Sequence, residues 1–203
     1  MEIPSKKLND AVEALAGLPG VGKRTALRYA FHLLRLKDAE LEDFTQKING
    51  LSSLKKCTTC FNLCENDLCE ICINNRRNSG LICVVENVRD LYAIENTLQY
   101  NGVYHVLEGL ISPMEGLGPL DINVGPLLER IDKEEIKEVI LALSSTVEAE
   151  TTNCYIFKKL KEKNIAISNL ARGISFGDEL EYADEISLGR SLMNRTPYNA
   201  EVK

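Results

Sequence analysis

The chain lacks any long hydrophobic run. No stretch approaches the roughly 18–20 apolar residues of a membrane span, which argues against a membrane-spanning helix. The first residues show no apolar stretch behind basic ones, so no secretory signal and a soluble cytoplasmic protein are expected. Histidine is scarce. Only His32 and His105 are present, and no nucleophile is recognisably paired with a general base. Positive charge is also in deficit, with a net charge of −6 that taken alone argues against nucleic acid.

What the chain does have is organised. Its 203 residues suffice for one substantial core plus a small module, and 44% apolar with 27% charged residues is ordinary globular composition. The charge is unevenly placed. Residues 1–37 hold seven Lys or Arg against three Asp or Glu, leaving −10 on the other 166 residues. Five basic residues and no acid lie between Lys23 and Lys37. This is either a basic binding end on an acidic body or a solvated helix face.

Leu8, Ala11, Val12 and Leu15 recur at helical spacing and predict a helix over 6–16. A turn-forming stretch follows, Gly17-Leu18-Pro19-Gly20-Val21-Gly22. A second helix is expected from about Lys23, with Ala26, Leu27, Ala30, Phe31 and Leu34 on its apolar face. Asp38 is a candidate cap for a third, carrying Leu41, Phe44, Ile48 and Leu51. After Gly80 the pattern changes to short apolar runs, at 81–85, 103–107, 139–143 and 165–167, alternating with helical segments at 88–98, 125–131 and 151–163. That alternation predicts an open, mostly parallel α/β sheet. Residues 109–118 read as a loop rich in Gly and Pro.

Gly17 to Lys23 fits most of a P-loop, a Gly, four residues, then Gly-Lys. Arg24 stands where that motif needs Ser or Thr for magnesium, and the turn follows an amphipathic helix where the motif needs a strand. The competing reading is a helix-hairpin-helix. Gly20 and Gly22 would let backbone N–H groups approach a DNA phosphate, with Lys23, Arg24 and Arg28 adding charge. Such contacts grip the backbone without reading bases. A plain packing hairpin is the alternative.

Cys57-Thr58-Thr59-Cys60 and Cys69-Glu70-Ile71-Cys72 are two CxxC pairs, the most specific signal in the chain. Seven cysteines without a secretory signal argue against disulfides, and two CxxC knuckles match one tetrahedral zinc held by four thiolates. Such a closed site is structural. Cys64, inside the loop, is read as a free thiol, and Cys83 and Cys154 are read as core.

Glu86 ends the first strand of the α/β region, Asp90 follows one turn later, and Glu148 and Glu150 follow the third strand. Carboxyl ends of parallel strands line the binding crevice, so these acids are expected to converge. They would hold magnesium or a partner, or else cap helices.

These pieces, in order, resemble the RecR family of bacterial recombination mediators. The resemblance covers essentially the whole chain. It is carried by Leu18-Pro19-Gly20-Val21-Gly22, by the CxxC pairs followed by Arg76-Arg77, and by Ile82-Cys83-Val84-Val85-Glu86 with Asp90 and Ile94-Glu95-Asn96-Thr97. Further matches are Gly109-Leu110-Ile111-Ser112-Pro113 with Gly116-Leu117-Gly118-Pro119, then Thr146-Val147-Glu148-Ala149-Glu150, Leu170-Ala171-Arg172-Gly173 and Leu180-Glu181-Tyr182.

The resemblance implies an α+β multi-module chain. Residues 1–54 would form a helix-hairpin-helix region, 55–78 a four-cysteine zinc module, 79–175 a Toprim domain and 176–203 a C-terminal segment. It implies a homotetrameric ring that acts as a DNA clamp, with RecO and RecF as partners. The implied task is helping load RecA at single-stranded gaps in the bacterial nucleoid. Toprim enzymes pair a glutamate with Asp-x-Asp on magnesium. Glu86 matches the glutamate, but Glu148-Ala149-Glu150 replaces Asp-x-Asp, which agrees with a family not regarded as catalytic. Ser144-Ser145 replaces the family's common Asn-Pro. The other readings are a magnesium-dependent Toprim nuclease or primase, and an adaptor that binds only proteins.

Overall fold

The computed structural model describes residues 4–171, 173, 174, 177, 179–195 and 197. Arg172 of the Leu170-Ala171-Arg172-Gly173 run, and residues 198–203 of the C-terminal segment, lie outside the described residues. The chain divides into two compact units, residues 1–54 and 55–203.

The first unit is helical. Helix α1 (Lys6–Ala16) starts at Ser5, whose hydroxyl accepts from the Leu8 amide. Helix α2 (Lys23–Leu33) starts at Gly22, and α3 (Asp38–Gly50) follows. Val12, Ala26 and Ala30 are buried between α1 and α2, with Leu8, Leu15, Val21 and Leu27 packed around them. The two alanines let the helices approach closely. The apolar face expected of α3 is not buried: Phe44, Ile48 and Leu51 are exposed. Amphipathic spacing shows that a face exists and not that it finds a partner within the unit.

The second unit opens with a hairpin of β1 (Lys55–Lys56) and β2 (Leu63–Cys64), then a single-turn α4 (Glu70–Ile73). The α/β region consists of β3 (Asn78–Val85), α5 (Val88–Glu95), β4 (Gly102–Val106), α6 (Val124–Lys133), β5 (Glu138–Ala142), α7 (Val147–Leu160) and β6 (Ala166–Asn169). The sheet order is β4-β3-β5-β6 and every pairing is parallel. Strand neighbours alternate faces, so Ile82 and Val84 join one core and Cys83 and Val85 the other. The first core takes α6 and α7 through Leu127, Ile131, Ile156 and Leu160. The second takes α5 through Leu91, together with Phe61 and Ile71 from the cysteine segment. Helix α8 (Glu185–Met193) lies near the C-terminus.

Three expectations need correction. The helix expected to run to Leu98 ends at Glu95, because Thr97 turns its hydroxyl onto the Ile94 carbonyl and Leu98 adopts a φ of 56° at 86% exposure. Helix α7 begins at Val147 and not 151, because Thr146 caps it through the Ala149 amide. Cys154, expected in the core, is exposed: α7 buries Ala149, Thr152, Asn153, Ile156 and Leu160, and Cys154 faces away from them. The loop at 109–118 contains a 3-10 turn over Pro113–Glu115 and a bridge between Ser112 and Leu117.

Candidate functional sites: a four-sulfur centre, a basic hairpin and an acidic crevice

The cysteine segment folds back on itself by main-chain hydrogen bonds. The Cys57 amide donates to the Asn62 carbonyl at 2.7 Å, and the Phe61 amide returns to the Cys57 carbonyl at 3.0 Å. Phe61 takes a φ of 64°, which reverses the chain directly after Cys60. The Thr58 amide reaches the Asp67 carbonyl at 2.9 Å and draws the second knuckle alongside. The sulfurs of Cys57, Cys60, Cys69 and Cys72 thereby lie within 4.8 Å of one another. Tetrahedral thiolates at about 2.3 Å from a zinc ion stand about 3.8 Å apart, so the set fits such an ion.

The electrostatics support that fit. The Cys69 amide donates to the Cys57 sulfur at 3.4 Å, the kind of bond that stabilises a thiolate. Cys60 and Cys69 approach to 3.5 Å, and the hydrogen bond between them pushes the Cys60 thiol up while holding Cys69 down. So crowded a set cannot ionise fully without a cation among the sulfurs. Cys64 stands outside the set. Its sulfur bonds the Asn66 carbonyl at 2.8 Å, and burial pushes its thiol up.

The centre is anchored to the edge strand β4. The Val106 amide donates to the Cys60 carbonyl at 2.8 Å, and Phe61 meets the His105 ring edge-on at 5.4 Å. Lys56 pairs with Glu108 at 2.8 Å, and Asn123 bonds both Glu108 and the Val106 carbonyl at 3.2 Å. His105 is fully buried, its Nε2 is 2.8 Å from the Asn123 carbonyl and its Nδ1 has no partner. Burial pushes its pKa down to about 4, so the ring is neutral with the proton on Nε2.

In the first unit, α2 follows a helix and not a strand, which removes the P-loop context. Gly20 has a φ of 78°, a conformation that glycine adopts freely. Gly22 is different. Its φ is −78°, and an added Cβ would meet nothing within 4 Å. No internal contact requires glycine there, and the position is exposed. No side chain caps α2, so the amides of its first turn point outward, beside exposed Lys23, Arg24 and Arg28.

Glu86 sits just beyond β3, whose connection runs to β4 on one side while that of the neighbouring β5 runs to β6 on the other, the usual binding crevice of an open parallel sheet. Burial, and then Asp90 beside it, push the Glu86 carboxyl up. Asn87 caps α5 through the amides of Arg89 and Asp90. Glu148 and Glu150 lie in the first turn of α7, where carboxylates favour the helix dipole. The four acids, expected to converge, form no close ligand set. Among the described residues only the four cysteines gather three or more ligand atoms within 4.8 Å. Glu86 lines a depression with Asn87, Val106 and Glu108, whereas Glu150 lines another with Ile111, Pro119 and Lys158.

Arg77 and Glu95 belong to the motifs that carry the resemblance, but nothing in the sequence alone pairs them. Arg77 grips both oxygens of Glu95 and donates to the Gly102 carbonyl at 3.2 Å, and the Tyr104 hydroxyl donates to Glu95 at 2.8 Å. The clasp joins the chain leaving the cysteine centre to α5 and β4. A charged pair 18 residues apart is legible only once both ends are placed.

A helical hairpin, a four-cysteine knuckle and a parallel Toprim-type sheet in one chain define a modular protein of α+β class. Family models match in the same order: the RecR helix-hairpin-helix over residues 8–51, the RecR four-cysteine zinc finger domain over 54–74, the Toprim domain over 80–171 and the RecR C-terminal region over 173–196. A protein of Parabacteroides distasonis named Recombination protein RecR is 51% identical over 97% of this chain and 95% of its own. Proteins of the same name from Flavobacterium johnsoniae and Bacteroides thetaiotaomicron are each 50% identical, over 100% and 99% of this chain and 99% and 98% of theirs. The chain belongs to the RecR family. Among its described residues no helix is long and apolar enough to cross a membrane.

Proposed function

We propose that this chain is a subunit of a DNA clamp in recombinational repair, acting by assembly and not by catalysis. The observation that carries the reading is the α2 end: uncapped first-turn amides, Gly22 open to the outside, and Lys23, Arg24 and Arg28 exposed beside it. That arrangement suits phosphate oxygens of any sequence. The relatives' name supports a role in recombination. Their family's partners, RecO and RecF, and its task of helping load RecA at single-stranded gaps, carry over by resemblance.

In this reading residues 1–54 bind DNA, 55–78 carry the metal, 79–175 form the Toprim domain and 176–203 the C-terminal segment. Cys57, Cys60, Cys69 and Cys72 hold one zinc ion, which supplies cross-linking of the chain and no reaction. Glu86, Asp90, Glu148 and Glu150 offer an acidic surface to a partner, with a weak magnesium site as the alternative. A homotetrameric ring would reconcile the net charge of −6 with DNA binding, since several basic ends would pool on one inner face.

The test is DNA retention by zinc-loaded protein across a salt series, with subunit number followed by light scattering. Binding that falls with salt and appears only in a multimer is expected, and Lys23→Ala with Arg24→Ala lowers both affinity and salt slope. Unchanged affinity and slope in that variant would overturn the assignment.

A further inference from the structure

We infer that the outer face of α2 seats an unpaired DNA strand, with Phe31 stacked on one of its bases. The inference rests on the proposed DNA reading and adds the form of DNA that the hairpin prefers.

Arg24, Leu27, Arg28, Phe31, His32 and Arg35 line one open groove of about 440 Å³. Their spacing puts them on a single stripe along α2 and the turn that closes it, roughly 16 Å from Arg24 to Arg35. All but Leu27 are exposed. Phe31 stands in the middle at 47% exposure, outside the cluster that Val12, Ala26 and Ala30 form with α1. Hairpin packing therefore does not account for an aromatic ring at this position. No acid interrupts the stripe, since none occurs between Lys23 and Lys37.

The chemistry narrows the occupant. Three arginines call for repeated anions, and the ring between them calls for a flat apolar surface. Duplex DNA supplies the phosphates but keeps its base faces stacked on one another. A single strand supplies both, and cationic grooves set with aromatic rings are the usual way such strands are held. The neighbouring groove between α1 and α2 suits a strand less well. It also contains Lys23 and Arg24, but Glu13 lies within it. Arg24 borders both grooves, so a strand on the outer face runs on from the phosphate site at the turn.

The chain contains no tryptophan, so Phe31→Trp introduces a sole indole reporter. Its emission is followed in the full, zinc-loaded protein as oligothymidine, or a blunt duplex of equal length, is added. Affinities of wild type and Phe31→Ala for both DNAs are read by anisotropy. Oligothymidine is expected to quench the indole and the duplex to leave it unchanged. Phe31→Ala should lose about tenfold on oligothymidine, the cost of one stacked base, and hold its duplex affinity within about twofold. An indole that ignores oligothymidine, or a loss equal on both DNAs, overturns the inference and leaves the clamp standing. Quenching by polyglutamate and not by oligothymidine overturns it in favour of an acidic peptide. Absence of any DNA retention by wild type overturns the clamp reading as well.

Discussion

The Val106 amide donates to the Cys60 carbonyl across 2.8 Å, so a metal-ligand residue supplies the partner that the last residue of β4 would otherwise lack. Strand β4 is an edge strand, and an unpaired edge is a site for misplaced pairing. The knuckle covers it there. Stripping the metal with a chelator should therefore raise hydrogen exchange at Val106 well before exchange rises at Val84 in the central strand. Equal protection at Val106 with and without metal would show that the knuckle holds its shape unaided.

His105 should give the protein an acid-side slope in stability. Its pKa is about 4 when folded against 6.5 as the ordinary value, so the unfolded chain binds the extra proton between those limits. Stability contributed by the neutral ring is complete above about pH 6.5 and is lost as pH falls toward 4. Between pH 6.5 and 5 the loss should reach about 1–2 kcal/mol in urea titrations of zinc-loaded protein. His105→Gln should be less stable at neutral pH and should lose less on acidification than wild type. An identical acid slope in the two proteins would show that His105 is not its source.

Gly102 has no room for a side chain. A Cβ there would stand 2.2 Å from the Tyr100 hydroxyl and 2.5 Å from the Leu81 carbonyl. That hydroxyl bonds the carbonyls of Leu81 at 2.9 Å and Val103 at 2.8 Å, so displacing it also breaks those contacts. Gly102→Ala should cost about 1–3 kcal/mol by overpacking, read as a lower urea midpoint. In Gly102→Ala with Tyr100→Phe the hydroxyl is gone but the Leu81 carbonyl is not, so the rescue should be partial. Full stability in the single variant would mean that β3 and β4 can slide apart at little cost.

The local signals are legible in the sequence alone. The two CxxC pairs marked a metal knuckle because two residues between cysteines is a fixed reach. The hairpin was legible because Gly20 and Gly22 sit between two helical repeats, and α/β alternation was legible because buried parallel strands read as short apolar runs. Misreadings fell at helix ends, where a single capping or turn side chain decides, and on helix faces, where distant parts of the chain decide. Leu98 has the spacing to continue α5, yet Thr97 turns the chain first. Cys154 is an apolar residue on a helix, and only the position of the sheet tells which side of α7 is buried. The exposed face of α3 shows the same limit.

The sequence by itself determined the modules, their order, the four sulfur ligands it offers and the basic end at residues 23–37, because each depends on residues a few positions apart. Only the tertiary structure decided that Cys60 closes the edge of β4, that Arg77 clasps Glu95, that His105 is held neutral and that the four carboxylates do not gather into one tight set. Each of these depends on residues eighteen or more positions apart, and chain spacing carries no record of which of them meet until the sheet is formed and its faces are covered.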